Sequence, residues 1–273
     1  MLETTDLSPR ALVLTLGGDG LATSYGANCL ALQGRDGTLL VDPLVAPAHA
    51  RRVEEALSAR GWPPVTHVVL THHHTDHALG AGWFAGRGAQ VTCHRCCAEA
   101  MAAQHGDIVA RRQRDPAMQK LFEDARPYAP QAIFEERWTI DLGGLVVVAH
   151  HLGPAHTDGD VVVSVPSEGL VAAGDLALAG FHFNYEEATP EGLLPALDRL
   201  RALRPALLVP GHGAAGGPAI VEEQARYHEA VLALVRRAAT PAEAAAKVMA
   251  AFPRHRYQAG VATAVARLLR PSS

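Results

Sequence analysis

The run Thr66-His67-Val68-Val69-Leu70-Thr71-His72-His73-His74-Thr75-Asp76-His77 passes from apolar residues into four imidazoles and a carboxylate within six positions. The β-branched stretch after Pro64 reads as a buried strand, so the histidines belong to the loop at its end. In extended backbone, residues two apart face the same side, which lets His72 and His74 chelate one cation. Asp76 and His77 follow the turn and can reach a neighbouring cation. Imidazole nitrogen with carboxylate oxygen suits zinc, iron or manganese better than a thiolate-seeking metal. His73 points the opposite way and is expected to pack or to support its neighbours.

Outward from this stretch, short apolar runs read as strands from Ala11, Asn28 and Thr38, with a helix over residues 48–60. Residues 98–125 read as one or two helices broken near Pro116, a helical insertion that can cover the site; its Arg111, Arg112 and Arg114 form a solvated face or meet an anionic substrate. Strands resume as AIFEERWTI from Ala132, LVVVAHHL from Leu145, VVVSVP from Val161 and LVAAGD from Leu170. A helix over 190–203, a strand from Ala206, and C-terminal helices within 218–269 complete the chain. GTLLVDP near Gly37 echoes EGLVAAGD near Glu168, and THVVLTH echoes PALLVPGH. Two such halves predict an α/β fold: one four-layered αβ/βα domain over residues 1–273, with two mixed sheets packed together and helices outside.

Three further polar motifs close apolar strands: Gly153-Pro154-Ala155-His156-Thr157-Asp158-Gly159-Asp160, Ala173-Gly174-Asp175 and Pro210-Gly211-His212. In this order after the histidine loop, the chain from about Asn28 to His212 resembles the metallo-β-lactamase superfamily. It is similar to the hydroxyacylglutathione hydrolase and lactonase type, and the GPAHTDGD turn to the SoxH-like and quinoprotein-relay branch of zinc hydrolases. The resemblance implies one metal held by His72, His74 and His156, a second held by Asp76, His77 and His212, and Asp175 bridging them. Ala155 stands where many relatives carry glycine, which should shift that turn slightly.

The activity so implied is hydrolysis of an ester, thioester, lactone or lactam carbonyl by a hydroxide shared between two zinc ions, with iron or manganese as other occupants. Asp76 and Asp175 would aim that hydroxide. The alternative within the superfamily is a mononuclear iron persulfide dioxygenase using His72, His156 and Asp175. The resemblance implies that Asp42, at a strand end, is a carboxylate supporting the ligands from behind; His150 and His151 lie near enough to the His156 turn to orient it. The segment 180–187 is a natural substrate wall, with His182 and Tyr185 as its substrate-binding candidates.

Composition excludes other classes. A hydrophobic fraction of 48% argues against disorder, and a net charge of -4 gives no basic field for nucleic acid. The first residues, MLETTDLSPR, carry acids where a secretory signal has positive charge, and no apolar run is long enough to span a bilayer. The expectation is a cytoplasmic enzyme with a small-molecule substrate and no membrane partner. Cys93, Cys96 and Cys97 are expected as reduced structural thiols.

Overall fold

The computed structural model describes residues 1–269. One sheet runs in sequence order through β1 (Glu3–Ser8), β2 (Ala11–Thr15), β3 (Asn28–Gln33), β4 (Thr38–Val41), β5 (Val65–Val69), β6 (Gln90–His94) and β7 (Ala132–Phe134). Its first four strands are antiparallel and its last four parallel. The other sheet contains β8 (Arg137–Asp141), β9 (Val146–His151), β10 (Val161–Val165), β11 (Leu170–Gly174) and β12 (Leu207–Pro210), in the order β12-β11-β10-β9-β8. There β11 and β12 are parallel and the other neighbours antiparallel.

The helices are α1 (Pro47–Ala59), α2 (Thr75–Ala78), α3 (Ala81–Ala85), α4 (Arg95–Arg114), α5 (Gln119–Phe122), α6 (Pro190–Ala202), α7 (Ala219–Arg236), α8 (Pro241–Ala251) and α9 (Val261–Leu268). Alternation along the strands explains the layering. Val13, Leu30, Leu32, Leu39 and Val41 face Val147, Val161, Val163 and Val209 between the sheets. Leu12, Leu14, Ala31 and Leu40 face outward onto α1, through Val53 and Leu57, and onto α3, through Phe84. On the far side Val162, Val171 and Leu208 pack against Leu197 and Leu200 of α6 and Val231 of α7. Strands covered on both faces are apolar at nearly every position, which is why they read as continuous runs. The result is the expected helix, sheet, sheet, helix stack.

One expectation is corrected. AIFEERWTI is not a single strand: β7 ends at Phe134 in the first sheet and β8 begins at Arg137 in the second. Glu135 and Glu136 are both exposed, so consecutive charges put a carboxylate on each face of the ribbon and the chain leaves one layer for the other. Strand β1, polar and largely exposed, and β6 are further strands that hydrophobic runs did not reveal. Among the described residues no helix is long and apolar enough to cross a membrane.

The two echoing segments become the parallel pairs β4 and β5, and β11 and β12. Their carboxyl ends deliver Asp42, Thr71 and His72 from one sheet and Asp175 and His212 from the other to a common edge.

Candidate metal centre

The expected first set converges. His74 Nδ1 lies 2.9 Å from His156 Nε2, and one nitrogen from each of His72, His74 and His156 falls within 4.8 Å of the others. His72 Nε2 is buried without a hydrogen-bond partner among the described residues. Thr71 Oγ1 donates to Asp42 Oδ2 at 2.6 Å, so at 3.0 Å from His72 Nδ1 it acts as the acceptor, which leaves Nε2 as the basic nitrogen.

The second set converges beside it. His77 Nε2 is 3.2 Å from His212 Nε2, and Asp76 Oδ2 lies 3.5 Å from the former and 3.4 Å from the latter. Each ring's other nitrogen is committed as a donor: His77 Nδ1 to Asp42 Oδ2 at 2.9 Å, and His212 Nδ1 to the carbonyl of Tyr25 at 3.0 Å. Two neutral imidazoles so fixed would present lone pairs to each other, an arrangement that a cation satisfies.

Asp175 straddles the sets. Its Oδ2 lies 3.5 Å from His156 Nε2, while Oδ1 lies 3.3 Å from His77 Nε2 and 3.4 Å from His212 Nε2. A Cβ at Gly211 would collide with Asp175 Oδ1, so glycine in the β12 turn makes room for this carboxylate. All seven residues expected as ligands therefore meet at one place.

Electrostatics give the same picture. Burial, then the neighbouring His77 and His74, pushes His72 well below the ordinary histidine range, and burial with His74 takes His156 down to about 3. Burial opposes charge on His77 and His212 too, but Asp175 and Asp76 prevail, raising His77 well above its usual value and His212 to about 9. Asp76 is lowered to about 2 against its burial, chiefly by His77 and His212, and Asp175 falls well below the carboxylate range beside the same two rings. In the first set His72 and His156 are neutral bases, while the Glu187 carboxylate raises His74 against its burial; around the other set, clustered carboxylates call for positive charge. Donor chemistry, buried unpartnered atoms and charge all fit divalent cations here.

Asp42 stands directly behind the ligands: besides His77 and the Thr71 hydroxyl it accepts from the Thr71 amide at 2.8 Å. The His156 turn is fastened by Asp160, whose Oδ2 accepts from the amides of His156 and Thr157 at 2.6 and 3.0 Å. His151 Nδ1 donates to the Asp160 carbonyl at 2.8 Å, so it steadies that turn through backbone. His150 faces Ser164 Oγ at 2.9 Å instead. The Ala155 amide closes the turn on the Thr157 carbonyl at 3.0 Å, and His156 still reaches the cluster.

A cavity of about 300 Å³ opens over the cluster, walled by Tyr25, Arg112, Phe181, His182, Asn184 and Tyr257 among others. His182 is thus at the wall, with Nδ1 3.0 Å from the Tyr227 hydroxyl. Tyr185 is not brought there: it is fully buried, its hydroxyl 2.8 Å from His228 Nδ1 on α7. Of Arg111, Arg112 and Arg114, Arg112 alone lines the cavity, its Nη2 donating to Thr75 Oγ1 at 3.0 Å. Sequence reasoning passed over Tyr25, Tyr257 and Glu187; the last accepts from His74 Nε2 at 3.0 Å. The adjacent imidazoles of His73 and His74 hold the Glu187 carboxyl well below the usual range. His73 Nε2 lies 2.8 Å from the same oxygen but off the hydrogen-bond direction. His105 on α4 donates to the His73 carbonyl at 2.7 Å. Cys93 and Cys97 are buried, Cys97 packing against Gly159 of the His156 turn.

Comparison with known proteins agrees with the geometry. The family model described as the metallo-beta-lactamase superfamily matches residues 22–212. The chain is 30% identical over 214 residues to a hydroxyacylglutathione hydrolase of Fuscovulum blasticum, covering 73% of this chain and 70% of that protein. It is 28% identical over 189 residues to the 2,4-dinitroanisole O-demethylase subunit alpha of Nocardioides sp. (strain JS1661), a match spanning 67% of this chain and only 51% of that relative. In fold it superposes on a metallo-beta-lactamase from Pontibacter korlensis with a TM-score of 0.70 at 20% identity, covering 84% of this chain and 99% of the other. With two histidine sets sharing an aspartate at the edge of such a sandwich, the chain belongs to the metallo-beta-lactamase superfamily.

Proposed function

We propose that this chain is a dinuclear zinc hydrolase that cleaves an ester, thioester, lactone or lactam carbonyl in a small molecule. The observation that carries this reading is the division of Asp175, with Oδ2 toward His156 and Oδ1 toward His77 and His212. His72, His74 and His156 would hold one cation and Asp76, His77 and His212 the other. When bound, such a pair supplies an activated water and polarises the substrate carbonyl.

The chain's own part is orientation. Asp42 and the Tyr25 carbonyl fix the rings of His77 and His212, and Thr71 fixes His72, so the basic nitrogens are aimed before substrate arrives. Asp76 and Asp175 accept the hydrogen bonds that orient an attacking water. Phe181, Leu178, Ile108, Tyr25 and Tyr257 give the cavity apolar walls that exclude bulk water. His182 Nε2 has no partner among the described residues and can donate to the substrate's oxygen or leaving group. Arg112 supplies positive charge for an anionic portion of the substrate. Cys97 is no rival nucleophile, since burial raises its thiol well above the ordinary value.

The iron dioxygenase alternative needs only His72, His156 and Asp175, whereas here His77 and His212 are oriented as carefully as the first set. The test is a panel of aryl ester, thioester, lactone and β-lactam substrates on zinc-reconstituted protein, with oxygen uptake on a persulfide in parallel. Hydrolysis without oxygen uptake supports the proposal. Persulfide-dependent oxygen uptake by iron-containing protein, with no hydrolysis, refutes it. The hydroxyacylglutathione hydrolase relative makes thioesters the first substrates to try. A cytoplasmic location belongs to the same proposal.

A further inference from the structure

Glu187 lies where loop 180–187 passes over the histidines, two-fifths exposed at its side chain. Its Oε2 accepts from His74 Nε2 at 3.0 Å, and its Oε1 accepts from Gln104 Nε2, on α4, at 3.3 Å. An imidazole has two ring nitrogens. With Nε2 spent as a donor to a carboxylate, Nδ1 is the basic one, and Nδ1 is the atom that faces His156.

We infer that Glu187 is the positioning residue of His74: it fixes the ring's tautomer and rotation, makes Nδ1 a stronger donor to a cation, and ties that ligand to the loop that walls the cavity. The inference rests on reading His72, His74 and His156 as a metal-ligand set. Isolated surface pairs contribute little because water competes for both partners. This pair differs in that its far side is a buried cluster, so the hydrogen bond changes the basicity of an inward-facing atom. Phe181, His182, Asn184 and Glu186 of the same loop also line the cavity. His73, His74 and Glu187 also lie close enough to hold a cation of their own, which is the rival that the test has to separate.

The experiment titrates metal-free full-length protein with zinc against a chromophoric chelator, for the wild type, Glu187→Gln, Glu187→Ala and His74→Ala. Cobalt(II) absorption spectra and the melting of the metal-free proteins are recorded alongside. Wild-type stoichiometry is expected to persist in both Glu187 variants, with one cation bound about 10- to 100-fold more weakly in Glu187→Ala. Glu187→Gln should fall between, because its amide oxygen still accepts from His74, and the cobalt bands should shift while the melting temperature does not. Unchanged affinity and spectrum in both variants would overturn the inference and leave the ligand reading standing. Loss of a whole equivalent on removing Glu187 would overturn it in favour of a separate cation site. A wild type that binds no zinc, or binding indifferent to His74→Ala, would overturn the ligand reading and the inference with it.

Discussion

The two histidine sets share a carboxylate and a cavity, yet they are held from opposite directions. His77 is held from beneath by Asp42, which is fully buried at the end of β4, and His212 by a backbone carbonyl. His74 is held from above by Glu187, at the exposed end of loop 180–187. The lower supports are part of the sheet, so their orientation comes with the fold and losing them damages it. The upper support is an exposed side chain at the end of its loop, so its loss should alter the site while sparing the fold.

The largest effect expected from this contrast is that of Asp42→Ala. Three donors, the Thr71 amide, the Thr71 hydroxyl and His77 Nδ1, lose their acceptor. Each buried group left unpaired costs about 1–3 kcal/mol. Asp42 also has φ +56, a region that alanine disfavours. Denaturant melts should show a loss of at least about 3 kcal/mol, whereas Glu187→Ala should stay within about 0.5 kcal/mol of wild type. Equal losses in the two variants would break the contrast.

Acid comes next. Loop 180–187 is anchored at its inner end by Tyr185 on His228, which burial lowers from 6.5 to about 3. The unfolded chain therefore binds a proton that the folded chain refuses between those values. Stability is full above 6.5 and falls as pH drops toward 3, by up to about 1.4 kcal/mol per pH unit. His228→Gln should flatten that slope, measured on metal-free protein; an unchanged slope would place the acid sensitivity elsewhere.

Smaller effects should separate wall from support within the same loop. Tyr185→Phe removes a buried hydroxyl remote from the cavity and should cost about 1 kcal/mol of stability with KM unchanged. His182→Ala should raise KM instead. Smallest is His73→Ala, for which less than a tenfold fall in kcat/KM is expected, since its Nε2 makes no aligned hydrogen bond.

The same contrast explains what the sequence made legible. Asp42, His72, Asp175 and His212 end apolar strands, where a polar residue signals the rim of a sheet, and the layered fold follows from central strands apolar at nearly every position. Asp76 and His77 were legible because they stand in the same short run as His72. Glu187 and Tyr25 sit in loops with no periodicity, and their roles depend on segments far apart in sequence that meet only after folding. Tyr185 misled in the other direction: next to Glu186 and Glu187 it reads as wall, but His228, 43 residues later, draws it into the helical layer. The division of β7 from β8 was hidden because a strand that changes sheets keeps its extended pattern.

The most direct test of a two-cation centre straddled by Asp175 is elemental analysis of untagged protein purified without added metal, beside Asp175→Ala. About two zinc per chain, falling to about one or fewer in the variant, is the expected result. About one iron per chain, unchanged by additional zinc, would contradict it.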